Sequence, residues 1–192
     1  MYKIIAIMGK AGSGKDALLQ CVLQTDPTLH EIISCTTRPR REGEVNGVNY
    51  FYCTPGDFTN KIYKHEMLEY TVFNNWYYGT SYDSVKENVI NVGVFNPAGV
   101  RSLITRADVD VKIFFLDVDD KTRLLRQLKR EQHPNVDEII RRYSTDKEDF
   151  KDIWKDFNII PLHNDNLKDL LNNTKIIRCE INAWKRSEDK EH

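Results

Sequence analysis

The sequence predicts an α/β protein, a parallel sheet flanked by helices. Three observations carry this: short apolar runs of strand length, helical stretches alternating with them, and a glycine-rich turn joining the first strand to the first helix. The run over 3–8 is mostly apolar and reads as a buried strand. It leads into "GKAGSGKD", from which a helix over 16–24 starts directly. A second short strand is expected over 31–34. Between 36 and 87 the character changes to arginine and glycine clusters. Here Asn46-Gly47, ahead of Tyr50, Phe51 and Tyr52, signals a hairpin, and the aromatic run "NNWYYGTSY" signals strand. Apolar strands return over 89–95 and 111–118, the first followed by a turn at Pro97 and Gly99 and then a helix. Asp119 or Asp120 is expected to cap a helix reaching residue 131, with a second helix starting near Asp137 after the break at His133-Pro134-Asn135. "DFNIIPLHND" supplies a last strand, 166–171 a closing helix, and 186–192 a charged tail expected to fray.

The 192 residues carry 28 Lys+Arg against 29 Asp+Glu, a formal net charge of −1. That balance gives no global attraction to nucleic acid or membrane, so any basic site is local. Cys21, Cys35, Cys53 and Cys179 form no C-x-x-C pair, and the five histidines do not cluster at ligand spacing. Reduced, buried thiols are expected rather than a zinc site. No apolar stretch approaches a membrane span and the first strand is too short for a signal segment, so a soluble cytoplasmic protein is expected. The length suits one domain, without repeats or low-complexity segments.

Chemistry concentrates at three places. In the loop Gly9-Lys10-Ala11-Gly12-Ser13-Gly14-Lys15, three glycines and the lysine fit G-x-x-x-x-G-K. Glycines let backbone N–H groups converge on phosphate oxygens, and the following helix N-terminus adds partial positive charge. Lys15 is expected to stand exposed and reach the β- and γ-phosphates. A chance glycine-rich turn is the bland alternative, and the strand before and helix after speak against it. The motif usually ends in a hydroxyl that holds magnesium; here Asp16 and Ala17 follow. Second, Arg38 and Arg41 approach Tyr50 across a turn and can converge on one phosphate dianion, although a solvated basic turn reads equally well on spacing alone. Third, Arg126 and Arg130 lie four apart on one helix and Arg142 on the next. Lys121, Arg123 and Lys129 beside them leave open a solvated basic face. "FFLD", ending at Asp117, looks like a metal-holding strand, but its position favours helix capping.

Taken in order, "GKAGSGK", "SCTTRPRREGEVNGVNYF", "MLEY" and "YYGTS" resemble guanylate kinase, the P-loop family that phosphorylates GMP or dGMP from ATP. The resemblance runs over about residues 3–171, and the arginine block is its specific part. It implies a P-loop NTPase-like core over 1–35, 88–120 and 144–185, a β-rich GMP-binding flap over 36–87 and a helical lid over 121–143. By the same resemblance the loop through Asp16 and Ala17 binds ATP, with Asn164 near the adenine. Arg38, Arg41, Tyr50 and Tyr78 hold the GMP phosphate. Ser34, Glu69 and Thr80 read the guanine, and Arg126, Arg130 and Arg142 close over the ATP phosphates. Independently, a carboxylate at Glu69 suits the N1–H and 2-amino group of guanine; without the family context it reads as an ordinary surface carboxylate. Mg²⁺ is the expected ion, and the chain is expected as a monomer or homodimer.

The pattern departs twice from that family. Asp16 replaces the loop hydroxyl, and "GVFNPAG" places Val94 and Asn96 where the family has two aspartates. Similar G-K-D loops occur in some viral deoxynucleotide kinases. Asp16 is therefore taken as the magnesium ligand and Asn96 as a GMP contact. Two rival readings remain at this level: an inactive guanylate-kinase-like binding module, and a kinase of another small phosphate ester.

Overall fold

The computed structural model describes residues 1–41, 43–73, 75–130 and 132–188. In chain order the strands are β1 (Tyr2–Gly9), β2 (His30–Glu31), β3 (Cys35–Thr36), β4 (Phe51–Tyr52), β5 (Met67–Phe73), β6 (Trp76–Ser81), β7 (Ile90–Val94), β8 (Val109–Asp117) and β9 (Ile159–His163). The helices are α1 (Lys15–Thr25), α2 (Pro55–Tyr63), α3 (Pro97–Ile104), α4 (Asp120–Arg130), α5 (Val136–Asp149), α6 (Ile153–Asp156) and α7 (Leu167–Glu188). The mainly parallel central sheet runs β2-β7-β1-β8-β9, and a second sheet runs β4-β3-β6-β5. This is the α/β architecture expected. The chain divides into two compact units, 1–5 with 28–111 and 6–27 with 112–192.

In the first unit the smaller sheet encloses a core of Cys35, Phe58 and Met67. The expected Asn46-Gly47 hairpin does not form. β4 runs parallel to β3, with Cys35 opposite Phe51 and Thr36 opposite Tyr52. The asparagines explain this, because their side chains take the backbone donors a hairpin would use. Asn49 Oδ1 accepts the Val45 N–H at 2.8 Å, and Asn46 Oδ1 accepts the Tyr52 N–H at 2.9 Å. Helix α2, read from sequence as part of a β-rich stretch, is announced by a capping box. Thr54 and Asp57 satisfy one another's backbone N–H groups, with Pro55 at the first helical position. Of the strand expected over 31–34 only Glu31 is strand, as the end of β2; residues 32–34 connect it to β3, which lies in the other sheet.

One irregularity decides which way the smaller sheet faces. Met67 pairs with Ser81 but Glu69 with Thr80, so Leu68 is an extra residue on β5. A bulge of this kind changes the parity of every later side chain. Met67 lies over Gly79 and the apolar core, whereas Glu69 falls on the opposite face with Thr80 and, two residues along, Tyr78.

In the second unit β8 buries Ile113, Phe114, Phe115 and Leu116, and α7 packs on α1. The closing helix is far longer than the 166–171 expected, because Ile177, Ile181 and Trp184 recur at helical spacing and are all buried. Lys185 lies in this helix and donates to Asp26 at 2.6 Å, and the helix runs on through residues 186–188 of the expected tail. Residues 189–192 of the expected frayed tail, and residue 131 at the expected helix end, lie outside the described residues. Asp117 ends β8 exposed, and among the described residues it caps no helix; Asp119 is the cap, accepting the Thr122 N–H at 3.0 Å. Asn135 caps α5 through the Glu138 N–H.

Candidate active site

The glycine loop follows β1 and opens α1. Gly14 is the helix N-cap at φ +93°, and Gly12 sits at φ +79°. A Cβ on Gly12 would stand 2.5 Å from the Arg123 carbonyl, so both backbone angle and space require glycine there. Lys15 is not exposed as expected but half-buried, donating to the Gly9 and Lys10 carbonyls at 2.7 and 3.2 Å. Those carbonyls give a desolvated ammonium the partners it needs. Burial pushes Lys15 below the ordinary lysine value, against the opposing pull of the Asp16 and Asp146 carboxylates, while Arg142 and Arg123 push the same way as burial. Asp16 and Ala17 are exposed in the first turn of α1.

Three arginines of the helical segment behave differently. Arg126 donates to the Gly12 and Ser13 carbonyls, both at 3.4 Å, and to the Asn164 carbonyl at 2.8 Å. Arg142 is half-buried on α5, and Arg130 is exposed at the end of α4. Asn164 is buried beside the loop, its Nδ2 donating to the Ser13 carbonyl at 2.8 Å. Its Oδ1 and the Ser13 Oγ are buried without a hydrogen-bond partner among the described residues. Arg123, read from sequence as a basic neighbour, is completely buried. Its sequence signal is weak, since an arginine three residues past an aspartate is equally typical of a solvated helix face.

In the other unit Glu69 and Thr80 meet across β5 and β6. Glu69 is 5% exposed, and the Thr80 hydroxyl donates to its Oε1 at 2.8 Å. Burial raises its carboxyl to about 7, against the lowering effect of the Thr80 hydrogen bonds. Helix α3 brings Gly99 so close that a Cβ there would lie 2.9 Å from Glu69 Oε2 and 3.3 Å from Asn96 Oδ1. Asn96 caps that helix, its Oδ1 accepting the Gly99 N–H at 2.7 Å. The turn expected at Pro97 and Gly99 is already the first turn of α3. Ser34, half-buried between β2 and β3, accepts the Phe51 N–H through its carbonyl at 2.9 Å.

Arg38 is 6% exposed and forms a two-pronged pair with Glu44, at 2.8 and 2.9 Å. Its guanidinium lies 5.5 Å from the Tyr50 ring and 5.8 Å from the Tyr52 ring, and Tyr50 meets Tyr78 edge-on at 6.1 Å. Glu44 also accepts the Arg41 N–H at 2.8 Å and the Tyr52 hydroxyl at 2.7 Å. Burial alone would raise the Glu44 carboxyl, but Arg38, the Arg41 N–H and the Tyr52 hydroxyl together hold it down at about 2. Burial and the Glu44 bond push the Tyr52 phenol up to about 12. Sequence reasoning missed this role for Glu44, which lies inside the quoted arginine block, and for Tyr52, one residue past its end. The structure thus assembles Arg38, Tyr50 and Tyr78 in one cluster, Glu69, Thr80 and Asn96 around a second point, and Lys15, Arg126 and Asn164 around the loop.

The family model described as guanylate kinase matches residues 1–178. The guanylate kinase of Sulfurimonas denitrificans is 30% identical over 179 residues, 91% of this chain and 85% of that protein. That of Malacoplasma penetrans is 32% identical over 171 residues, covering 85% and 86%. The crystal structure of guanylate kinase from Anaplasma phagocytophilum shares the fold at a TM-score of 0.67 and 18% identity, over 93% of this chain and 86% of that one. A family model over nearly the whole chain and relatives at this identity and coverage place the chain in the guanylate kinase family.

Proposed function

We propose that the chain transfers the γ-phosphoryl group of ATP to GMP or dGMP, giving ADP and the guanosine diphosphate, as a cytoplasmic monomer or homodimer. The observation that carries this reading is the buried Glu69 carboxylate with Thr80 beside it. Ionised Glu69 accepts both the N1–H and the 2-amino hydrogens of guanine, while Ser34 and Thr80 offer hydroxyls to the base. Adenine has a lone pair at N1 and no 2-amino group, so it would leave a buried carboxylate unpaired. Sites of this type discriminate by about 10⁴-fold. Arg38, Arg41, Tyr50 and Tyr78 bind the acceptor phosphate, and the Glu44 bond holds the Arg38 fork in one orientation. On the donor side the loop N–H groups and Lys15 take the ATP phosphates, Asn164 lies toward the adenine, and Arg126, Arg130 and Arg142 offset the charge on the transferred group. Phosphoryl transfer needs little covalent assistance, so positioning and electrostatics are the catalysis. A coupled ADP-release assay over GMP, dGMP, AMP, CMP and TMP tests the assignment. Turnover is expected with the two guanine nucleotides, and comparable rates with AMP would overturn the role given to Glu69.

Mg²⁺ fits as the nucleotide's own ion. Among the described residues no group of three or more His, Cys, Asp or Glu side chains is placed to hold a metal. A lone exposed carboxylate at Asp16 is the kind of oxygen donor that completes a shell otherwise made of phosphates and water. When bound, the ion neutralises phosphate charge. Asp16 alone would repel free ATP, so Asp16→Asn should bind metal-free ATP more tightly than the parent and depend less steeply on Mg²⁺. Its kcat should fall, and Asp16→Ser alone should not restore full activity, because Val94 and Asn96 remain. Calorimetry and rates across a Mg²⁺ titration decide this. Identical curves for the parent and Asp16→Asn would leave Asp16 as a helix-start acid only.

The flap over 36–87 and the lid over 121–143 are further assigned as the segments that close on substrates and exclude water from the reacting phosphoryl. Saturation with a GMP–ATP bisubstrate mimic should slow amide hydrogen exchange in both segments. Unchanged exchange would remove the closure from the mechanism.

A further inference from the structure

Ala11 stands third in the phosphate loop, and its peptide is gripped from two helices. From α5, Asp146 Oδ2 accepts the Ala11 N–H at 2.7 Å. From α4, Arg123 Nη1 donates to the Ala11 carbonyl at 3.0 Å and to the same Asp146 oxygen at 3.3 Å. Arg123 Nη2 reaches Asp120 Oδ1 at 2.6 Å, and the Tyr143 hydroxyl donates to the other Asp120 oxygen at 2.5 Å. Next along the loop, Gly12 passes so close to the α4 backbone that no side chain fits.

The burial of these groups separates their roles. Arg123 has no exposed side-chain surface, Asp146 keeps 13% and Asp120 keeps 47%. A buried guanidinium is tolerated only with a desolvated counter-charge beside it. Asp120 is the nearer carboxylate, but Asp146 is the more desolvated one, and the same oxygen that faces Arg123 also fixes the loop peptide.

We infer that Asp146 is a positioning residue for ATP, acting through Arg123 and the Ala11 peptide to set the direction of the loop N–H groups that follow. The inference rests on the loop being the ATP site. It predicts an effect confined to the donor nucleotide, because the contacts of Asp146 and Arg123 run to the loop and its two helices.

Asp146→Ala and Asp146→Asn test it, with affinities for ATP and GMP measured separately alongside kcat and Tm. Asp146→Ala should weaken ATP binding about tenfold or more while GMP affinity stays unchanged, since loop N–H groups turned away from the phosphates lose charge-assisted hydrogen bonds. Asp146→Asn keeps an oxygen for the Ala11 N–H but loses the counter-charge facing Arg123, so it should recover part of the loss. A lower Tm with unchanged ATP affinity would overturn the inference in favour of a purely structural contact. Tighter ATP binding would overturn it the other way, marking the carboxylate as an anion that competes with phosphate. If Asp146→Ala does not fold, Asp146→Asn decides alone, and unchanged ATP affinity there refutes the inference. Failure of the unsubstituted protein to bind ATP would sink the loop assignment itself and is seen before any substitution is made.

Discussion

Lys15→Ala should lower kcat by about 10³-fold while the protein remains folded. One ammonium is expected to neutralise charge that grows on the transferred phosphoryl, and losing a single preorganised donor of this kind costs about 10²- to 10³-fold. The upper end is expected because burial already holds the Lys15 ammonium out of water, where its field is least screened. The fold should tolerate the change. Lys15 contributes two hydrogen bonds to loop carbonyls, but it is also a desolvated charge, and removing it relieves that cost. Single-turnover kinetics beside a thermal melt give the answer. A variant with the parent's kcat would show that the loop does not act on phosphate.

Glu69→Gln should separate recognition from stability, moving them in opposite directions. The glutamine amide can still accept from Thr80 and from one guanine hydrogen, but its NH₂ would face a donor. The loss of a buried charge-assisted bond is worth about 1.5–3 kcal/mol, or roughly 10- to 100-fold in GMP affinity, with ATP affinity unchanged. Stability runs the other way. Burial raises the Glu69 carboxyl from 4.5 to about 7, so the folded state holds that proton more tightly than the unfolded chain. The stabilisation is fully present below pH 4.5 and is lost as the pH rises through 7, a change of roughly 3 kcal/mol. The substituted protein should not show this loss, so its melting temperature should exceed the parent's at pH 8 and approach it at pH 5. In the proposed site guanine binds the ionised carboxylate, so the parent's KM for GMP should also rise as the pH falls below about 7. Parallel pH profiles for the two proteins, in melts and in GMP calorimetry, would remove Glu69 from the base pocket.

The parts read correctly from sequence are those whose signal is local. The strand, glycine loop and helix over 2–25 announce themselves through apolarity and glycine spacing, and Asn135 through the break before α5. What escaped depends on partners remote in sequence or on unusual local competition. Arg123 lies on a strongly charged helix and looks like one more of its surface cations, and the loop packed against it makes it a buried charge. Glu44 looks like one more charge in a solvated turn until Arg38 folds over it. The Asn46-Gly47 signal failed because asparagine side chains outcompeted the ladder that a hairpin needs. Helix α7 was shortened although its apolar spacing was legible, a misjudged boundary rather than an absent signal.

The extra residue at Leu68 gives the β5–β6 pair a neighbouring register that must be kept empty. Were the ladder to continue without the bulge from Met67 opposite Ser81, Leu68 would meet Thr80 and Glu69 would meet Gly79. Every side chain over 69–73 would then change faces, and the carboxylate would enter the layer formed by Cys35 and Phe58. An ionised group in that layer is heavily disfavoured, so the charge proposed to read guanine also polices the pairing of its own strand. An apolar residue at 69 removes the penalty. Glu69→Leu therefore shifts the balance between two strand pairings as well as abolishing recognition, whereas glutamine keeps a polar group that the apolar layer still rejects.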